Sequence, residues 1–194
     1  MLSSQLMNDN DCFFLHSTVP AQSSDEGLQI IHGTEDSILQ QPNSIGHCIS
    51  ADTRLSKGFA DFLSHRISGL ISTCRKARLF MGQVYPFWDS TGKRYIYNLV
   101  TKERFCDMPN LSTLSKTLEA TKIHASTNGV STIAIPKLGC GLDQMNWQEV
   151  GKLLHDIFAY ADVQNVVYTL EENGVHALSA EGDAEFYADD EIKR

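Results

Sequence analysis

The chain has 194 residues, of which 42% are hydrophobic, 21% charged and 9% aromatic, enough for one sizeable core and too few for two full domains. That composition excludes a wholly disordered or collagenous chain, and no apolar run approaches the ~20 residues that cross a bilayer. Five cysteines without a CxxC pair point to free thiols rather than a disulfide framework or a structural zinc site.

The formal charge of −8 is unevenly spread. Residues 1–26 carry four acids and no Lys or Arg, and residues 171–194 carry eight acids against two bases. The stretch 27–170 holds fourteen bases and twelve acids. Acidity therefore belongs to the ends, and the centre remains compatible with an anionic ligand. Both ends read as flexible extensions, Phe13–Leu15 being the one short apolar run in the first. The expected organisation is an N-terminal extension over 1–26, a globular domain over 27–170 and a C-terminal tail over 171–194. The opening residues lack a basic start and a long apolar stretch, so an intracellular chain is expected, nuclear or cytoplasmic.

Leu28–His32 and Ser44–Ile49 read as strands, the second running into polar Ser50, Asp52 and Thr53. Phe59, Phe62, Leu63 and Arg66 recur at helical spacing over 58–66, with Ser56 as the expected cap. Gln83–Phe87 and Tyr95–Val100, joined by a turn at 89–92, have the β-branched and aromatic content of a hairpin. Pro109 opens a helix with Leu111, Leu114, Leu118 and Ala125 on one face, stopped by Asn128-Gly129. Ser131–Ile135 is nearly uninterrupted in its apolar character, as a strand covered on both faces should be. Asn146 and Glu149, at capping-box spacing, precede Val150, Leu153, Leu154, Ile157 and Phe158, and Asn165–Leu170 makes a last strand. This alternation predicts an α/β fold, a three-layer α/β/α sandwich with a mixed central sheet.

In open α/β sheets ligands settle beyond the carboxyl ends of strands. His47–Asp52, Thr101–Arg104 and Gly139–Asp143 meet that condition. Gly139 and Gly141 flank Cys140 in a turn that is either an ordinary bend or one that aims successive N–H groups at a phosphate. The turn lacks the Lys-Ser/Thr ending of a triphosphate-binding loop, and no GxGxxG follows the first strand, which disfavours a dinucleotide redox fold. Lys102 is either a surface charge, a counter-charge to phosphate, or a nucleophile toward the aldehydic carbon of a sugar, with Asp143 to shuttle protons. Rival readings make Cys140 a thiol nucleophile paired with His47 or His155, Asp52 and Asp143 a glycosidic carboxylate pair, or His47 and Cys48 metal ligands. No third clustered ligand follows that last pair, so no metal is expected. Tyr168 belongs either to the core or beside a bound base.

Four ordered blocks then stand together. They are His47-Cys48-Ile49-Ser50 with Asp52 and Arg54, Arg94-Tyr95-Ile96-Tyr97 leading to Thr101-Lys102, Pro136 through Asp143 leading to Trp147, and Val167-Tyr168-Thr169-Leu170. Through them residues 28–170 resemble the macrodomain family, most closely its terminal ADP-ribose protein glycohydrolase branch. The resemblance implies a macrodomain-like sandwich that removes mono-ADP-ribose from glutamate or aspartate side chains and also deacylates O-acyl-ADP-ribose. The alternative it leaves is a reader that binds ADP-ribose without turnover, and an adaptor acting through its acidic ends is a third reading.

Carried over by position, the family's nucleophilic lysine falls on Lys102 and its acid/base aspartate on Asp143. The ligand contacts fall on Gly33, Glu35, Asp36, Ser50, Asp52, Lys57, Gly58 and Thr101, on Leu138, Gly139, Cys140, Gly141 and Leu142 of the turn, and on Tyr168. No cofactor and no metal are implied. The implied partners are ADP-ribose or ADP-ribosylated proteins, with ADP-ribosylated nucleic acid as a further candidate, no membrane, and a monomeric state. Two segments depart from the family pattern. Its Gly-Asp after the first strand is here Gly33-Thr34-Glu35-Asp36, and its Met-Gly-Ala-Gly-Ile-Ala is here Leu55-Ser56-Lys57-Gly58-Phe59-Ala60.

Overall fold

Strand-forming runs and amphipathic helices alternate along residues 28–170, the part of the chain that the computed structural model describes. The readings made for the two acidic ends lie outside the described residues. In chain order the elements are β1 (Gln29–Gly33), α1 (Glu35–Gln40), β2 (Ser44–Ser50), α2 (Gly58–Arg66), α3 (Leu70–Lys76) and β3 (Val84–Asp89). They continue with β4 (Arg94–Lys102), α4 (Leu111–Thr127), β5 (Thr132–Pro136), α5 (Trp147–Phe158) and β6 (Gln164–Leu170). The strands form one sheet in the order β1-β6-β5-β2-β4-β3. Every neighbouring pair is parallel except β3 and β4, the hairpin. The expected mixed sheet is thus present.

Because side chains alternate along a strand, each central strand feeds two cores. Tyr97, Leu99, Ile133, Ile135 and Val167 pack with Leu114, Leu118, Val150 and Leu154 of α4 and α5. Ile45, Ile96, Ala134, Val166 and Tyr168 pack with Ile38, Leu63, Leu70 and Cys74 of α1, α2 and α3 on the other face. This is the three-layer arrangement. Among the described residues no helix is long and apolar enough to cross a membrane.

Two helices go beyond the sequence expectation. Helix α1 lies in the segment read as a ligand loop, started by Thr34, whose Oγ1 accepts the N–H of Ser37 while Ser37 Oγ accepts that of Thr34. Helix α3 follows Gly69, whose φ of 80° lies in the left-handed region that glycine enters freely. The cap of α2 is Lys57, without a side-chain bond, and not Ser56. Asn110 caps α4 through the Thr113 N–H, and Asn146 caps α5 through that of Gln148.

Strand β4 carries a polar residue at each end. At its start Arg94 pairs with Asp89 across the hairpin at 3.5 Å, with side chains 7% and 8% exposed. The same guanidinium donates to the carbonyls of Leu39 at 3.0 Å and Gln41 at 2.6 Å, and Asp89 accepts the Thr91 N–H at 3.1 Å. This pins the loop after α1 to the hairpin. At the other end the β2–β4 register shifts, so that Ile49 faces Val100 but Ser50 faces Lys102. The extra residue, Thr101, makes a bulge of the kind that re-aims a strand's last side chain. Outermost strand β3 has Pro86 at its middle and Trp88 half exposed.

Candidate active site

Parallel strands bring the carboxyl ends of β2, β4 and β5 to one edge of the sheet, and a cleft of about 730 Å³ opens there. That volume lies in the range of small-molecule sites. The bulge presents Lys102 to this cleft, and the Pro136–Asp143 loop brings Asp143 to meet it. Lys102 Nζ donates to Asp143 Oδ1 at 2.5 Å, with side chains 13% and 16% exposed. The amine and carboxylate are thus in hydrogen-bond contact on the cleft wall, the geometry that proton exchange between them requires.

The loop beyond β5 is closed by its own backbone. Cys140 N–H donates to Lys137 O, Gln144 N–H to Gly141 O and Met145 N–H to Gly139 O. Gly139 has φ +68°, and a Cβ there would lie 2.5 Å from Met145 Sδ, so both conformation and space demand glycine. Gly141 differs, since a Cβ there meets nothing within 4 Å. Its face is open to the cleft that Gly139, Gly141 and Leu142 line. From the other side Gly58, at φ +60°, comes close to Leu142, whose Cδ1 is 3.4 Å from the place of a Gly58 Cβ.

The opposite wall has its own electrostatics. His47 is buried and its pKa is lowered to about 4, by burial that outweighs its bond to Asn98. Glu35 lines the cleft, and its pKa is raised, first by burial and then by the nearby charges of Asp36 and Asp61. Arg54 stacks over the Phe105 ring at 4.4 Å, and both line the mouth. Burial pushes the Cys48 thiol up to about 12 and the Cys140 thiol up to about 11. Both thiols are therefore protonated near neutral pH, which removes the basis for the thiol-nucleophile reading.

Comparison with known proteins gives this geometry a context. No protein-family model matches the chain. The macrodomain of Mycobacterium tuberculosis DarG superposes with a TM-score of 0.66 at 20% identity, over 75% of this chain and all of that one. Thermosipho africanus DarTG in complex with ADP-ribose superposes at 0.60 and 18% identity, over 66% of this chain and 38% of that one. At such identities the likeness concerns the fold. In sequence, ADP-ribose glycohydrolase OARD1 of Bos taurus is 35% identical over 130 residues, 67% of this chain and 84% of that protein. The chain belongs to the macrodomain family.

The macrodomain places the residues singled out from sequence in two groups. Glu35, Ser50, Lys57, Gly58, Lys102 and Asp143 line the cleft, as do Leu138, Gly139, Gly141 and Leu142 of the turn. The others are not among its lining residues. Asp36 pairs with Arg66 at 2.9 Å, and Gly33 packs against Ser37 and Tyr168. Tyr168 is 3% exposed and belongs to the core on the α1–α3 side. Buried Thr101 latches β4 to β2 through the Ile49 carbonyl, and Cys140 turns its thiol onto Leu138 O.

Asp52 is a clamp between loops. Its carboxylate accepts from Ser50 Oγ at 2.5 Å, from Arg54 N–H at 3.3 Å and from Phe105 N–H at 3.0 Å. Burial raises its pKa, but these three bonds outweigh it and the net direction is down. The sequence reading had no argument for Phe59, Phe105 or Met108 on the cleft wall. The helical spacing of Phe59 concealed it as core, and nothing about the 103–108 loop announced that it folds over the site.

Proposed function

We propose that this macrodomain releases mono-ADP-ribose from glutamate and aspartate side chains, with Lys102 as nucleophile and Asp143 as its proton partner. The observation that carries this reading is the Lys102–Asp143 contact on the wall of a cleft at the carboxyl ends of the strands. The names of the sequence relative and of the ADP-ribose complex support the ligand class.

Chemically, Asp143 takes a proton from the Lys102 ammonium. The freed amine attacks C1'' of the distal ribose, a C–N bond forms, and the C1''–O bond breaks with its electron pair leaving on the acceptor carboxylate. The adduct opens to an imine, to which water adds. Proton return through Asp143 then expels the amine and frees ADP-ribose. The diphosphate lies along the Gly139–Leu142 turn, where N–H groups not used in closing the loop meet its oxygens. The adenosine extends toward Glu35. The same pair would deacylate an O-acyl-ADP-ribose. ADP-ribosylated proteins are the proposed partners, encountered by a monomer inside the cell.

The test is time-resolved release of ADP-ribose from a glutamate-modified protein by wild type, Lys102→Ala and Asp143→Ala, with ADP-ribose binding measured on the same samples. Release by wild type and its loss in folded variants is the expected result. Tight binding without release by wild type makes the protein a reader, and absence of both ends the ADP-ribose reading.

A further inference from the structure

The sheet sends the two terminal segments to opposite edges. Strand β1 runs parallel to β6, so the residues before Gln29 enter at the edge away from the cleft, beside Gln164 at the start of β6. The residues after Leu170 leave from the cleft itself, because Leu170 is one of its lining residues. Lys137 N–H donates to Tyr168 O at 3.2 Å, which sets the exit of β6 beside the turn that carries Asp143. In sequence, residues 171–194 then bring eight acids against two bases, with Glu171 and Glu172 first and the aromatic pair Phe186-Tyr187 further along. Extended, the stretch from Leu170 to Phe186 spans about 50 Å, more than the width of a domain of this size.

The mouth of the cleft has the charges to receive such a segment. Arg54, Lys57 and Lys137 line it, and among the described residues none of the three makes an ion pair. Arg54 lies over the Phe105 ring and Lys137 over that of Trp147, contacts that position the cations without neutralising them. The charges of Asp52 and Arg54 interact, but the Asp52 carboxylate is engaged by Ser50 Oγ and two backbone N–H groups. Of the carboxylates that line the cleft, Asp143 is paired with Lys102 and Asp107 with Arg104, which leaves Glu35. Three cations without an ion partner against one such carboxylate favour an anionic visitor. Apolar side chains stand among them, with Phe105 41% exposed, Met108 64% and Leu142 67%. Large apolar groups held at the surface beside cations suit an acidic segment that also carries aromatic rings.

Resting on the ADP-ribose reading for the ligand it displaces, we propose that the acidic segment 171–194 of this same chain lies in the mouth of the cleft. Arg54, Lys57 and Lys137 hold it there, where it competes with the diphosphate of ADP-ribose. Entry of the ligand then requires release of the segment.

The experiment has two arms, both on the full chain. In the first, wild type is treated with a water-soluble carbodiimide, which joins carboxylates to amines in contact, and peptides of the monomeric product are mapped by mass spectrometry. Cross-links from the acids of 171–194 to Lys57 or Lys137 are expected, with Lys102–Asp143 as the reference pair. In the second, the affinity for ADP-ribose is compared between wild type and a variant that carries Glu→Gln and Asp→Asn at all eight acids of 171–194. The variant is expected to bind about tenfold tighter at low salt, as a site open in about one-tenth of the wild-type molecules requires. The gap should close near 1 M salt, where the Debye length falls to about 3 Å. Cross-links that are absent, or that join only separate chains, overturn the proposal. So does an affinity at low salt no tighter in the variant than in wild type. The first arm needs only wild type and stands even if the variant does not fold. If neither protein binds ADP-ribose, the ADP-ribose reading falls and the cross-links alone decide where the segment lies.

Discussion

Strand β4 begins and ends with a cation paired to an aspartate, and the two pairs are built to opposite purposes. Arg94 faces Asp89 and the carbonyls of Leu39 and Gln41, and Asp89 also accepts a backbone N–H. Lys102 donates to Asp143 alone. The first pair is surrounded by partners that hold it in one arrangement, which suits a pin. The second leaves hydrogens of the ammonium and lone pairs of the carboxylate free on a cleft wall, which suits chemistry. Partners outside the pair separate the two roles, since the Arg94 guanidinium is held by two backbone carbonyls through one nitrogen while its Nε is buried without a hydrogen bond.

The sharpest way to break this contrast is to remove each cation. Lys102→Ala should lower ADP-ribose release by on the order of 10⁴-fold or more with the unfolding midpoint nearly unchanged, and Asp143→Asn by about 10²–10⁴-fold. Arg94→Met should do the reverse. Breaking a buried pair costs about 3–5 kcal/mol, read by urea unfolding, while each folded molecule keeps its turnover. Adding Asp89→Leu should return part of that stability. If Arg94→Met instead spares stability and kills turnover, the pin reading is lost.

Midway along the same strand, Asn98 bonds His47, which burial keeps neutral against that bond. Its folded pKa of about 4 lies below the ordinary 6.5, so the unfolded chain binds more protons between these values. Stability therefore falls as pH drops from about 6.5 to about 4, by about 3 kcal/mol in all. His47→Phe should flatten that slope in urea unfolding measured across the window.

The smallest effects sharpen the contrast within the ligand-facing turn itself. Gly139→Ala forces a side chain into positive φ and onto Met145, and should cost about 1–3 kcal/mol of stability. Gly141→Ala meets no atom and should change stability by less than about 0.5 kcal/mol, yet weaken ADP-ribose binding by occupying its approach. Calorimetry and unfolding on the two variants separate conformation from contact.

Much of the fold was legible because long apolar periodicities survive any context. Ser131–Ile135 and the Val150–Phe158 face could be only a covered strand and a packed helix. Helices α1 and α3, six and seven residues long, have too few turns for a periodicity to emerge, and only the Thr34–Ser37 cap announces α1. At the candidate site, glycine and charge spacing marked loops that line the cleft. Spacing does not say that Lys102 and Asp143, 41 residues apart, touch, because that depends on a bulge and a turn meeting across three strands. Asp52 and Tyr168 illustrate the opposite limit. Each occupies a position implied for ligand contact, and only tertiary contacts reveal that one clamps loops and the other fills a core.

Outermost strand β3 exposes a rim to which a neighbouring molecule could in principle add a strand. Proline is tolerated in a sheet where its missing N–H points outward, and Pro86 sits at the middle of that rim. A visiting chain would find the row of donors interrupted after two residues on one side and three on the other, too short a run to nucleate pairing. The half-exposed Trp88 beside it can then remain at the surface without seeding aggregates, and concentrated solutions of the protein should stay clear of fibrils.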